Sequence, residues 1–219
     1  MLAKLNYMEL RTVNMGVISN GTTLLDAGAL DSGVATGAMT LIKTLTASSS
    51  ATLDFLNGAS SVVFDSTYDS YVFKFIDIHP ATDDTDLTFQ VDVGTGTSYG
   101  QTITSTAFQV FHGEDGNSGA IAYKANRDQA QGTAFQPICQ DIGNGNDESM
   151  NGELTIFSPS SGTFVKHFIG LGTNVYSGDA SIQIYTAGYV NTTTALTRIR
   201  FKMDSGNIDA GTIKMYGIK

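Results

Sequence analysis

The sequence predicts an all-β protein: an antiparallel β-sandwich, jelly-roll-like, preceded by an extended N-terminal arm. Three observations predict it. Residues 40–219 hold roughly ten short strand-like runs with turn signals every 8–15 residues or so, and no long helical pattern. Several runs alternate with a period of two, best seen where Leu87, Phe89, Val91 and Val93 oppose Thr88, Gln90 and Asp92. The stretch Leu196 to Lys219 repeats the pattern: Ile199, Phe201 and Met203 point one way, and Arg198, Arg200 and Lys202 the other.

Residues 1–14 are a short lead in which Leu2, Leu5 and Met8 recur near helical spacing, too short to stand alone as a helix. Residues 15–39 are rich in Gly, Ala, Ser and Thr, with Leu25–Gly28 echoed by Leu30–Gly33. Such a segment cannot build its own core. Its apolar residues Val17, Ile18, Leu24, Leu25 and Leu30 suit anchors on another surface, where a plain linker would be more polar. The expected division is therefore an anchor segment, 1–39, and a sandwich domain, 40–219.

The strands expected in that domain are 40–47, 52–57, 70–79, 86–93, 102–112, 118–124, 133–140, 152–158, 163–171, 180–190, 196–204 and 211–218. Tyr71 to Ile78 is apolar on both faces apart from Lys74 and Asp77, and Phe164 to Leu171 is similar, so both read as central strands. A short helix is expected around Arg127–Gln131. Ser205-Gly206-Asn207 supplies a turn, so the chain is expected to close as a β-hairpin or strand pair with no tail.

Composition sets limits on function. The chain has 219 residues, 41% of them hydrophobic and 15% charged, which suits a folded core rather than charge-driven disorder. Twelve basic against 21 acidic residues give a net charge of −9. Nucleic-acid phosphates reward clustered Lys and Arg. The one basic cluster is the strand face of Arg198, Arg200 and Lys202, which reads as a solvated or salt-bridged surface, so no nucleic-acid partner is expected. No apolar run approaches the ~20 residues of a membrane span, and the N-terminus has no h-region of a signal peptide.

Chemistry-bearing constellations are sparse. His79, His112 and His167 lack metal-ligand spacing, and Cys139 is the sole cysteine, set in an apolar run. No Gly-x-Ser-x-Gly elbow is present. Two acidic stretches, Asp83-Asp84-Thr85-Asp86 and Asp141 to Glu148, offer oxygen ligands of the kind Ca²⁺ takes, but neither follows the EF-hand order. Asp and Asn favour turns on local hydrogen-bonding grounds alone. Tyr68, Tyr99, Tyr123, Tyr176 and Tyr185 suit sugar-stacking platforms if exposed and core positions if not. The expectation is a non-enzyme with no catalytic residues, no cofactor and no bound metal.

The runs Thr44 to Phe55, Asp65 to Asp83, Ser158 to Phe168 and Ser205 to Ile218 carry a resemblance. They resemble a family of virion structural proteins of tailed phages that infect marine and other aquatic bacteria. The resemblance covers roughly residues 15–219. Met15 to Gly21 resembles an N-terminus of such proteins, making residues 1–14 an extension or an upstream start. It implies a β-sandwich displayed on the virion as a decoration, head-fibre or tail-appendage protein, with other virion proteins of capsid, tail or fibre as partners and no catalytic residues. It also implies a homo-oligomer, commonly a trimer. Arg198, Arg200 and Lys202 are then a candidate inter-subunit contact. A tail-fibre or baseplate module that binds a host receptor or surface glycan is the alternative.

Overall fold

The computed structural model describes residues 39–116 and 118–219, together with three backbone strands in the N-terminal segment. The chain divides into two compact units, Met1–Gly37 and Ala38–Lys219. In the first unit β1 (Val17–Ser19), β2 (Thr22–Asp26) and β3 (Ala29–Leu30) form an antiparallel three-stranded sheet. Ser19 pairs with Thr22 across the sequence Asn20-Gly21, the dipeptide that most favours a two-residue hairpin. The expected anchors Val17, Ile18, Leu24, Leu25 and Leu30 have side chains outside the described residues, as do residues 1–14.

The second unit runs β4 (Met39–Thr46), β5 (Leu53–Leu56), β6 (Ser70–Pro80), β7 (Leu87–Val93), β8 (Ile103–Gly113), β9 (Gly119–Tyr123), β10 (Ala130–Gly132), β11 (Gln136–Pro137), β12 (Met150–Phe157), β13 (Lys166–Tyr176), β14 (Ala180–Val190), β15 (Leu196–Met203) and β16 (Ile208–Ile218). A nine-stranded antiparallel sheet has the order β10-β8-β14-β13-β12-β6-β16-β4, with β9 also on β8; a four-stranded sheet has the order β11-β7-β15-β5. The two sheets make a sandwich, as the alternation predicts.

Ring contacts define the core between the sheets. Phe55 and Phe201 of the small sheet meet Phe73 of the large one at 5.3 Å, Phe201 also meets Phe75 at 5.3 Å, and Phe89 meets Phe168 at 5.1 Å edge-on. Offset and edge-on aromatic pairs add roughly 0.5–1.5 kcal/mol each beyond burial. Gly172 lets the Ile138–Cys139 backbone lie against β13: a Cβ there would stand 2.5 Å from the Ile138 carbonyl oxygen. β6 lies between β12 and β16, the central position its two apolar faces predict.

Three expectations are corrected. The closing strands do not form a hairpin: β15 belongs to the small sheet and β16 to the large one. Asp204–Asn207 carries the chain from one sheet to the other, so that Phe201 and Met203 enter the core from the small sheet and Ile213 and Met215 from the large one, all buried. Periodicity shows which residues turn inward but not which sheet receives them. The expected helix at 127–131 is absent: Ala130–Gly132 is β10, paired with the start of β8, and Gln131 has φ of 55°. The strand expected over 133–140 shrinks to Gln136–Pro137, because the residues around it lend their carbonyls to side chains below rather than to a ladder.

Candidate interaction surface

The outer face of the large sheet is the most distinctive surface of the sandwich. Antiparallel register sets its side chains in rows. One row reads Tyr123, Phe108, Tyr185, Leu171, Glu153, Lys74 and Lys214 across seven strands. The next reads Thr106, Ala187, Ile169, Thr155, Val72, Tyr216 and Leu41. Phe108 and Tyr185 stack nearly parallel at 4.7 Å. Lys74 and Glu153 pair on adjacent strands.

Large apolar side chains on this face are left in solvent. Ile121 is 75% exposed, Ile169 55%, Leu41 51% and Phe108 44%, and Met39, Ile76, Tyr123 and Phe157 are exposed with them. Among the described residues, the remaining large exposed hydrophobic is Phe164, 70% exposed in the loop that leads into β13. A shallow groove of about 400 Å³ is lined by Phe157, His167, Ile169, Ala187 and Tyr189, beside that loop. Contiguous apolar patches beyond a few hundred Å² mark interaction sites on soluble proteins. Sequence reading missed this surface, although the two-sided apolarity of β13 was its signal: Phe168 serves the core and Ile169 the outer face.

The basic strand lies on the opposite side of the molecule, the outer face of the small sheet, under two covering loops. Arg200 donates to both Asp54 oxygens at 2.7 Å, and its guanidinium stacks over Tyr99 at 4.1 Å. Lys202 sits 4.9 Å over the Phe135 ring. Arg198 pairs in register with Asp92. Thr88, Gln90 and Asp92, polar by alternation, are buried rather than solvated. Gln90 donates to the carbonyls of Gln101, Thr133 and Ala134, and Asp92 accepts from the Tyr99 N–H and the Gln101 amide. Burial opposes the Asp92 charge, yet the Tyr99 and Val93 N–H groups and Gln101 hold its carboxyl below the ordinary value.

A second buried network ties this side together. Arg127 reaches Asp86 at 2.9 Å and Asp141 at 3.0 Å. Asp204 accepts from the Asp86 N–H at 2.9 Å and from the Thr85 hydroxyl. Burial raises the Asp86 carboxyl to about 6, with Asp204 and Asp141 pushing the same way against Arg127.

The remaining singled-out residues are dispersed. The acidic loop is sewn to its surroundings: Ile142 bridges Thr85 and Tyr176, Glu148 accepts from the Gly145 N–H, and Asp83 accepts from Asn144 N at 3.2 Å. His79 lies 3.2 Å from the Gly145 carbonyl. His112 is the penultimate residue of β8, and His167 faces outward beside Tyr189. Among the described residues no three His, Cys, Asp or Glu side chains converge to hold a metal. Cys139 is buried 3.0 Å from Asn174 Oδ1, and burial pushes its thiol well above the ordinary range. Tyr99 is buried, Tyr123 exposed, and Tyr176 lines a cleft of about 540 Å³ with Phe111, Glu114, Asp141, Asp179 and Ile182.

The fold and surface define a class, an antiparallel β-sandwich with several large apolar side chains exposed on one outer face. No family model, curated protein or solved structure matches the chain.

Proposed function

We propose that the protein is a virion structural protein of a tailed phage: a decoration or appendage sandwich displayed on the particle, anchored through residues 1–39 and assembled with copies of itself or other virion proteins. The observation that carries this reading is the apolar outer face of the large sheet, where Leu41, Phe108, Ile121 and Ile169 stand in solvent in the single chain. Such a surface needs a partner to remove it from water, at about 25 cal/mol per Å². The resemblance of residues 15–219 to phage structural proteins supplies the setting. Net charge of −9 suits a surface in solvent better than one against packaged DNA. Deleting residues 1–39 tests the reading: the expected result is a folded sandwich that no longer enters particles, and normal loading of the truncated chain would contradict it.

A receptor- or glycan-binding role on a fibre or baseplate is the second reading. The cleft lined by Tyr176, Phe111, Glu114 and Asp179 favours it, because it sets aromatic faces beside carboxylate acceptors for sugar hydroxyls. Glycan-array binding that disappears in Tyr176→Ala would support it. No binding to host surface material would set it aside.

A further inference from the structure

We infer that the outer face of the large sheet is a two-fold interface with a second copy of this chain, each copy's Phe164 seated at the Phe157/His167/Tyr189 groove of the other. This rests on reading the face as an assembly surface and deepens it by naming the occupant.

Size is the first support. Eight strands from β9 to β4, spaced about 4.8 Å apart, and three outward rows, the third holding Thr104, Tyr189, His167, Phe157, Ser70, Ile218 and Met39, span an area on the order of 700 Å². A standard stable interface buries about 800 Å² per partner. One broad face, rather than two separate patches, calls for a self-complementary contact, and two-fold symmetry supplies that by placing the same face on both sides.

Charge is the second support. The chain carries −9 overall, which opposes self-association. The central rows of this face hold Lys74, Lys214 and Glu153, so the acidic excess lies elsewhere and two such faces meet without strong repulsion.

Shape is the third. Phe164 is 70% exposed in the loop that leads into β13, and the groove lined by Phe157, His167 and Tyr189 lies at that same end of the sheet. An axis lying in the interface, parallel to β13 and passing between loop and groove, keeps both at one end and carries each copy's Phe164 across to the other's groove. The sheets then stack about 10 Å apart, as in any sandwich. The groove walls are mainly apolar, which suits a phenyl ring better than a hydroxyl-rich ligand.

The test is the solution mass of the full chain by light scattering, with circular dichroism to check folding. The expected result is a dimer for the native chain and a monomer for Ile169→Lys, with Thr106→Arg as a second disruptive variant should the first fail to fold. Single-cysteine variants Phe164→Cys and Tyr189→Cys, mixed and treated with a short bismaleimide, should give crosslinked dimers that neither variant gives alone, Cys139 being buried. A monomeric or trimeric native chain, a dimer that survives both charged variants, or crosslinking no greater in the mixture overturns the two-fold proposal. A native monomer whose Ile169→Lys variant no longer enters particles would assign the face to a different virion protein, leaving the proposed function standing while this inference fails.

Discussion

Arg200 on β15 holds Asp54 on β5 through two parallel hydrogen bonds of 2.7 Å, beneath the ring of Tyr99. The side chain expected to reach a neighbouring subunit thus has its partners within its own chain. Bidentate charge-assisted pairs of this kind fix geometry as well as energy.

Replacing Arg200 with Met should lower unfolding free energy by about 2 kcal/mol, because Asp54 loses both donors and Tyr99 its stacked cation. The urea midpoint should fall while the mass in solution stays that of the native protein. A change of mass with an unchanged midpoint would instead support the expected inter-subunit contact.

Asp86 gives the fold a pH dependence. Its carboxyl titrates near 6 in the folded chain, against an ordinary value of 3.8, with burial the main cause. Between these values the folded chain holds a proton that the unfolded chain has released. The stabilisation is complete below 3.8 and is lost as pH rises through 6, by about 2–3 kcal/mol for this group. Asp86→Asn should flatten that part of the profile in urea melts at pH 4.5 and 7, and an unchanged slope would refute the assignment.

Gly211 has φ of +111°, and a Cβ there would stand 2.5 Å from the Asp77 carbonyl oxygen. It lies where β16 shifts register against β6, opposite Asp77, which is itself left-handed. Gly211→Ala should therefore cost at least about 2 kcal/mol, from backbone strain and the forced separation of the strands. Thermal melting measures it, and a loss below about 0.5 kcal/mol would contradict this account.

Lys166 is fully buried, and its ammonium donates to the carbonyls of Ser161 at 2.6 Å, Phe164 at 2.8 Å and Thr192 at 3.4 Å. Burial lowers its pKa. Lys166→Met should leave three carbonyls without their donor, at a cost of about 2–3 kcal/mol. It should also loosen the loop that presents Phe164. Faster hydrogen exchange at residues 161–165 is the expected readout, and unchanged protection there would show that the loop holds itself.

Much of the sandwich was legible because side-chain alternation is local. β14 coincides with its expected range, 180–190, and β4, β7 and β8 fall within one residue of theirs. What was hidden depends on contacts distant in sequence. Gln90 and Asp92 alternate as solvent-facing residues do, yet loops around Tyr99 and Ala134 bury them. β15 and β16 look like a hairpin in sequence, yet they serve opposite sheets. The apolar outer face was written into β13, but His167, Ile169 and Leu171 become a surface only once β12 and β14 align beside them.

Localisation on intact particles tests the central claim most directly. With an antibody to the sandwich domain, purified virions should label at regular surface positions, and the protein should co-purify with particles at a fixed copy number. Unlabelled virions, with the protein found only in the infected cell's soluble fraction, would contradict a structural role on the particle.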